Sequence, residues 1–155
     1  IVITNQAGVA RGYYTEADVK ILHDYMNEGL ERDGAHVDAF YYCPHHPEHG
    51  IGIYKKKCHC RKPETGMFEM AERDLTEGID KMHSYMIGDK RIDAQAGKNF
   101  GVTGVLVGTG YGAKEHAEDR AAGLIKEDGS CPAGGYDAYA ETLLDAVRGI
   151  LGGRI

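Results

Sequence analysis

The 155-residue sequence has no apolar run approaching the roughly 18–20 residues of a membrane-spanning helix, and no signal-peptide pattern opens it. It also lacks basic excess: 18 lysines and arginines stand against 24 aspartates and glutamates, a formal net charge of −6. Nucleic acids and anionic membrane surfaces both select for positive charge, so neither is an expected partner. An anion site on this protein has to be basic locally. There is no internal repeat and no low-complexity tract. By length the expectation is one domain over residues 1–155, monomeric, with 42% hydrophobic residues to build an ordinary core. Polar lead-in is missing too: the chain opens Ile1-Val2-Ile3-Thr4, a β-branched run that reads as a strand cut from a longer sequence.

Cysteine is scarce, and three of the four residues lie in one region. Cys43-Pro44-His45 and Cys58-His59-Cys60 are separated by residues 46–57, and Arg61-Lys62-Pro63 follows directly. Cys43, His45, Cys58 and Cys60 supply the four soft or borderline ligands of a closed tetrahedral zinc site. His46, His49 and His59 are the alternative imidazoles. A Cys43–Cys58 disulfide competes, and would contribute about 3 kcal/mol for a loop of this size. The nearby histidine favours structural zinc in a reducing cytoplasm. Cys131 stands apart from the cluster. A metal at this point would hold Arg61 and Lys62 in place, which suggests an anionic ligand, most simply a phosphate.

Strand and helix patterns alternate along the chain. Ile1–Thr4 reads as a strand, followed by a loop containing Gly8 and Gly12. Thr15 is an N-cap with Glu16 and Asp18 in the first turn. Val19, Leu22, Met26 and Leu30 mark one helical face, and Gly34 stops the helix. Val37–Tyr42 is a second strand. Residues 43–63 carry glycine and proline breakers and the run Lys55-Lys56-Lys57, and form a long loop of the kind that is functional or stapled. A helix is predicted over Gly66–Leu75, with Met67, Met70 and Ala71 inward. Further predicted elements are strands at His83–Ile87, Val105–Val107 and Asp137–Ala140 and helices at Asp93–Phe100 and Thr142–Leu151. Residues 113–135 are part helix, part loop. The pattern predicts an α/β, Rossmann-like parallel sheet flanked by helices, with a zinc-stapled loop at 43–60.

In an open parallel sheet, functional groups gather where strands end at their carboxyl edge. Three predicted strands end in polar clusters: Thr4-Asn5-Gln6, Cys43-x-His45 and Gly88-Asp89-Lys90. With Arg61-Lys62 they offer a hydroxyl, amides, cations and a carboxylate. These are the groups that grip a phosphoryl group and a magnesium ion. Taken singly, Thr4-Asn5 also suits a turn, Asp89 a helix N-cap and Lys62 a solvated surface lysine.

The segments Ile3-Thr4-Asn5-Gln6-Ala7-Gly8-Val9-Ala10-Arg11-Gly12-Tyr13, Cys43-Pro44-His45-His46-Pro47, Cys58-His59-Cys60-Arg61-Lys62-Pro63 and Met86-Ile87-Gly88-Asp89-Lys90-x-x-Asp93 together resemble the haloacid-dehalogenase-type phosphatases. The resemblance covers residues 1 to about 110 in order. It is nearest to the branch that acts on D-glycero-D-manno-heptose 1,7-bisphosphate, with histidinol-phosphate phosphatases as the near relatives. It implies that Thr4 binds the transferring phosphoryl group and that Asn5, Gln6 and Ala7 continue the substrate loop. Cys43, His45, Cys58 and Cys60 would bind Zn2+, and Arg61 would recognise substrate. Lys62 would stabilise the phosphoryl group and the nucleophile. Asp89 would bind the catalytic Mg2+ with Lys90 on the substrate, and Asp93 would assist. The implied substrate is a small phosphorylated sugar, and the implied setting is lipopolysaccharide heptose metabolism in the cytoplasm. The family's Asp-x-Asp, whose aspartates are nucleophile and general acid, is missing from these residues. Its strand is the central one of the family's sheet, so the expectation is a sheet lacking its first strand and an inactive chain by itself. A phospho-ligand-binding remnant is the non-catalytic alternative.

Overall fold

The structure is a computed structural model describing residues 1–155, which form two compact units, residues 1–76 and 77–155. In the first, β1 (Val2–Asn5) leads through a short helix α1 (Ala7–Ala10) to α2 (Glu16–Glu31), β2 (Phe40–Cys43) and α3 (Gly66–Asp74). In the second, β3 (Tyr85–Gly88), α4 (Arg91–Phe100), β4 (Thr103–Val107), α5 (Gly112–Ala121), β5 (Ala138–Ala140) and α6 (Leu143–Leu151) follow in order. All pairings are parallel: β1 with β2 in one sheet, and β3-β4-β5 in the other. The predicted α/β class is therefore present. No helix is long and apolar enough to cross a membrane.

Local chemistry explains the element boundaries. Thr15 accepts from the Asp18 amide while the Asp18 carboxylate accepts from the Thr15 amide, a reciprocal cap that starts α2 as predicted. The strand predicted from Val37 begins only at Phe40, because Asn27 of α2 takes both polar backbone groups of Val37. Those groups are satisfied by a side chain and need no ladder partner. The loop expected after β1 contains α1. Residues 113–135, which carried no clear period, contain most of α5 and then a turn closed by the Cys131–Tyr136 bridge. Short 3-10 turns at Gly52–Tyr54 and Lys81–His83 break the 43–63 loop and shorten the strand predicted from His83.

Two predicted faces are corrected. In α2, Val19 is buried, but Leu22, Met26 and Leu30 are exposed and His23 takes the inward position one turn on. The reason is ring stacking: His23 lies parallel to Phe40 of β2, with centroids 4.4 Å apart. In α3, Met67 and Ala71 point inward as expected, whereas Met70 is exposed and Phe68 is buried instead. The second unit is simpler. Leu106 of β4 packs with Ala94, Cys131 and Tyr136, while Val105 and Val107 pack with Ala146 on the opposite face. Period-two alternation with both faces covered is what a central parallel strand requires.

Candidate active-site and metal-binding residues

The four ligands proposed from spacing meet at one point. One donor atom from each of Cys43, His45, Cys58 and Cys60 lies within 4.8 Å of every other. Nδ1 of His45 is 3.7 Å from the Cys43 sulfur and 3.6 Å from that of Cys60. A tetrahedral zinc with ordinary bond lengths would set each sulfur–nitrogen edge at about 3.6 Å, so these donors fit such an ion. The Cys58 and Cys60 sulfurs are closer, 2.7 Å, and would have to spread by about 1 Å to reach a tetrahedral sulfur–sulfur edge. All four cysteines are free thiols, which sets the disulfide alternative aside in this structure.

The other histidines are engaged elsewhere. His46 Nδ1 accepts from the amides of Glu48 and His49, and His59 faces Glu69 at 3.0 Å. His45 is thereby the imidazole available to the cluster. Burial raises the Cys43 and Cys60 thiols above the ordinary range, so in the metal-free cluster they keep their protons. A cation must displace those protons to bind, which makes its affinity depend on pH.

Around this cluster the chain folds back onto the end of β1. Asn5 receives the Lys62 amide at 3.0 Å and donates to the Lys62 carbonyl at 3.2 Å, although the residues are 57 positions apart. Lys62 is buried, and its ammonium donates to the Ile3 carbonyl at 2.6 Å. Gln6 donates to the Thr4 hydroxyl at 3.2 Å and accepts from Tyr14 at 2.7 Å. Arg61 donates to the His45 carbonyl at 3.2 Å, so the cation is joined to the ligand loop. The structure thus brings Thr4, Asn5, Gln6 and Lys62 to one strand end, with Arg61 leading from the Cys/His cluster. Ala7 begins α1 beside them.

A residue pair that sequence reasoning passed over reinforces the loop. Tyr42 and Tyr54 both donate to Glu16, at 2.8 and 2.7 Å, one to each carboxylate oxygen. Hydrogen bonds from Tyr54 and then Tyr42 hold the Glu16 carboxyl below its usual range. Tyr42 is pushed up to about 12, chiefly by burial and then by Glu16. This clamp ties the first turn of α2 to β2 and to the 52–54 turn. Glu16 was legible only as a helix-start acid, and no local pattern signals its two distant tyrosines.

In the second unit, Asp89 and Lys90 follow β3 as expected. The Asp89 Oδ2 accepts from the Tyr111 amide at 3.2 Å, and its Oδ1 accepts no hydrogen bond. A carboxylate with one oxygen anchored and one unbonded fits a hard divalent cation such as Mg2+. Asp89 is not the helix N-cap; that position is Lys90, whose amide donates to Asp93 at 3.2 Å. Asp93 is buried against the strand end, where a side chain at Gly88 would put Cβ 2.4 Å from the Asp93 Cβ. Its carboxylate is occupied in starting α4.

Comparison with known proteins gives the class. The HAD-hydrolase-like family profile matches residues 59–128. The chain is 46% identical over 123 residues to the D-glycero-beta-D-manno-heptose-1,7-bisphosphate 7-phosphatase of Haemophilus ducreyi, covering 78% of this chain and 66% of that protein. It is 47% identical over 107 residues to the D-glycero-alpha-D-manno-heptose-1,7-bisphosphate 7-phosphatase of Burkholderia mallei, covering 69% and 56%. The crystal structure of D,D-heptose 1,7-bisphosphate phosphatase from B. bronchiseptica, complexed with magnesium and phosphate, superposes with a TM-score of 0.73 at 32% identity over 98% of this chain and 74% of that one. The chain belongs to the haloacid-dehalogenase-like hydrolase family. It spans 66% and 56% of the length of these two curated relatives.

Proposed function

We propose that the protein is a magnesium-dependent phosphomonoester hydrolase acting on a small phosphorylated sugar, and that the sugar is D-glycero-D-manno-heptose 1,7-bisphosphate. The observation that carries this reading is the two-way hydrogen bond between Asn5 and the Lys62 backbone. It fixes a buried cation at the end of the strand that carries Thr4, where strand-end chemistry belongs in a parallel α/β fold. The likeness to two heptose-bisphosphate phosphatases and to a magnesium- and phosphate-bound relative supports the substrate class.

In this reading each residue has a limited task. The Thr4 hydroxyl and the segment Asn5-Gln6-Ala7 bind the phosphoryl oxygens. Arg61 grips the substrate anion, and Lys62 offsets the charge that develops as the phosphorus–oxygen bond changes hands. Lys90 is a further cation for the substrate. Asp89 would hold the Mg2+, which supplies charge neutralisation at the phosphoryl oxygens when bound. The cluster of Cys43, His45, Cys58 and Cys60 would hold a Zn2+ with no open coordination position, a structural ion that sets Arg61 and Lys62. Covalent chemistry through an aspartyl-phosphate needs a carboxylate in line with phosphorus. The family resemblance places it on an Asp-x-Asp, which none of residues 1–155 forms. These residues accordingly bind and stabilise, and the in-line carboxylate is assigned to no residue among them.

The test is magnesium-dependent phosphate release from the α and β anomers of the heptose bisphosphate and from histidinol phosphate. It is run on residues 1–155 and on the same chain joined to an upstream Asp-x-Asp strand. The expected result is release from a heptose bisphosphate by the extended chain and phosphate binding without turnover by residues 1–155. Faster release from histidinol phosphate overturns the sugar assignment. Inactivity of the extended chain favours a non-catalytic phospho-ligand binder.

A further inference from the structure

Asp89, Lys90 and Arg91 leave β3 in succession; the α5 N-cap Tyr111 meets the first two and the body of α5 holds the third. The Tyr111 amide donates to Asp89 Oδ2 at 3.2 Å. The Lys90 ammonium stands 4.3 Å from the centroid of the Tyr111 ring. Arg91 donates to Asp119 at 2.9 Å and to the Glu115 carbonyl. The approach is tight enough to dictate sequence. At Gly110 a Cβ would lie 2.0 Å from Asp89 Oδ2, and the residue has φ +57°. Left-handed backbone and lack of clearance exclude a side chain there for separate reasons.

Tyr111 is not explained by packing. It is 59% exposed, and its hydroxyl makes no hydrogen bond. What its ring touches is Lys90. An ammonium resting on an aromatic face keeps N–H groups turned away from the ring, free to meet an anion. A carboxylate anchored through one oxygen presents the other in a fixed direction. One residue therefore addresses two neighbouring groups, by its backbone and by its ring.

We propose that Tyr111 is a positioning residue: its amide aims the Asp89 carboxylate at a divalent cation, its ring holds Lys90 for the substrate anion, and Gly110 provides the clearance. The inference rests on the phosphatase reading of Asp89 and Lys90. Its test uses the full-length protein with Tyr111→Phe, Tyr111→Ala and Gly110→Ala, each also combined with Lys90→Ala, and Asp89→Asn as a control. Two readouts are needed: KM and kcat for phosphate release, and Mn2+ binding followed by electron paramagnetic resonance without substrate.

Tyr111→Ala should raise KM about two- to five-fold, the size of an exposed cation–π contact, while kcat and Mn2+ affinity hold. Tyr111→Phe keeps the ring and should restore KM. Lys90→Ala should erase the difference between the two. Gly110→Ala should weaken Mn2+ binding about tenfold, as loss of an outer partner of a metal ligand does. An unfolded Gly110 variant leaves the Tyr111 series to decide. The inference is overturned if Phe and Ala are equally damaging, or if the Tyr111→Ala effect persists without Lys90. If Asp89→Asn and Lys90→Ala match the unaltered protein in both readouts, the phosphatase reading of this site fails with it.

Discussion

In residues 77–155, β4 has strands on both sides and apolar side chains on both faces; in residues 1–76, β1 and β2 form a two-stranded sheet whose neighbours are held by polar links. Leu106, Val105 and Val107 follow the alternation that buries a strand without further help. The first unit depends on atoms far apart in sequence: Asn5 on Lys62, Glu16 on Tyr42 and Tyr54, and the four Cys/His donors on one another. An isolated two-stranded sheet is marginal in water, so such links have more to contribute there. The difference teaches what order depends on in each unit. The first unit also buries apolar side chains, among them Val9, Val19, Met67, Phe68 and Ala71, but its long 43–63 segment is tied down by polar links, so the order of that segment is contingent on them.

The largest expected effect breaks that comparison at the metal cluster. Chelation, or Cys60→Ser, should disorder residues 43–63 and leave β3-β4-β5 intact. Structural zinc in small domains contributes on the order of 10 kcal/mol to folding, far beyond any single contact in the first unit. Hydrogen exchange resolved by residue checks this: amides of the 43–63 segment should lose protection, while those of Leu106 and Val107 keep theirs. Equal loss in both units would mean that the cluster does not distinguish them. Metal analysis should return close to one zinc per chain, and less than half an equivalent would count against the assignment.

The reverse experiment strikes β4 in the second unit. Leu106 is fully buried among Ala94, Cys131 and Tyr136. Leu106→Ala should cost about 2–5 kcal/mol, through lost transfer energy and the cavity left behind. Denaturant unfolding gives that number, and zinc stoichiometry should not move with it. A drop in bound zinc would show that the two kinds of order are coupled.

Which parts of this architecture were legible follows from the same contrast. Strands β3 and β4 and helices α4 and α6 could be read, because alternation, apolar spacing and caps are written within a few residues. Thr142 as the cap of α6 and Gly101 as the left-handed stop of α4 are instances. The meeting of Cys43, His45, Cys58 and Cys60 was legible from spacing, since a metal site needs donors in pairs. The exposed positions of Leu22 and Met26 were not. Apolar periodicity shows that a helix has a face, but not that His23 would stack on Phe40 and take the inward place. Nor could spacing reveal the Asn5–Lys62 bond, which joins two segments by a register that only the fold sets.

That bond gives the next test. Asn5→Ala leaves the Lys62 amide and carbonyl without their partner, at a cost of about 1–3 kcal/mol. Asn5→Asp retains an acceptor for the amide but not the donor to the carbonyl, and should fall between. If the bond aims Lys62 at a phosphoryl group, turnover in the full-length protein should drop by more than the stability loss explains. The checks are kcat alongside the unfolding midpoint. Proportional losses would reduce the bond to a fold staple.

The smallest expected effect is a pH response that sharpens the contrast, because the second unit's apolar core holds one imidazole. His116 is buried, stacked on Tyr139 at 3.8 Å between centroids, with Nδ1 2.9 Å from the Tyr136 hydroxyl. Its Nε2 faces an Arg120 nitrogen at 3.3 Å. Arginine can only donate, so Nε2 is the acceptor and Nδ1 carries the proton toward Tyr136. Burial, and then the Arg120 charge, lowers the affinity of His116 for a second proton, while Asp119 and Glu141 act weakly the other way. The folded state thus binds protons less readily than the unfolded chain, whose histidine titrates near ~6.5. Stability from this group is complete above that value and declines as pH falls through it toward the lowered folded pKa. Exchange protection of β4 should weaken gently below about pH 6.5 in the unaltered protein. In His116→Gln, which cannot titrate, that slope should flatten even though the absolute stability is lower. A cation held by the Cys/His cluster would add its own acid sensitivity to the first unit, since the donors must release protons to bind it, so only β4 amides give a clean reading. An unchanged slope in His116→Gln would place the titration elsewhere.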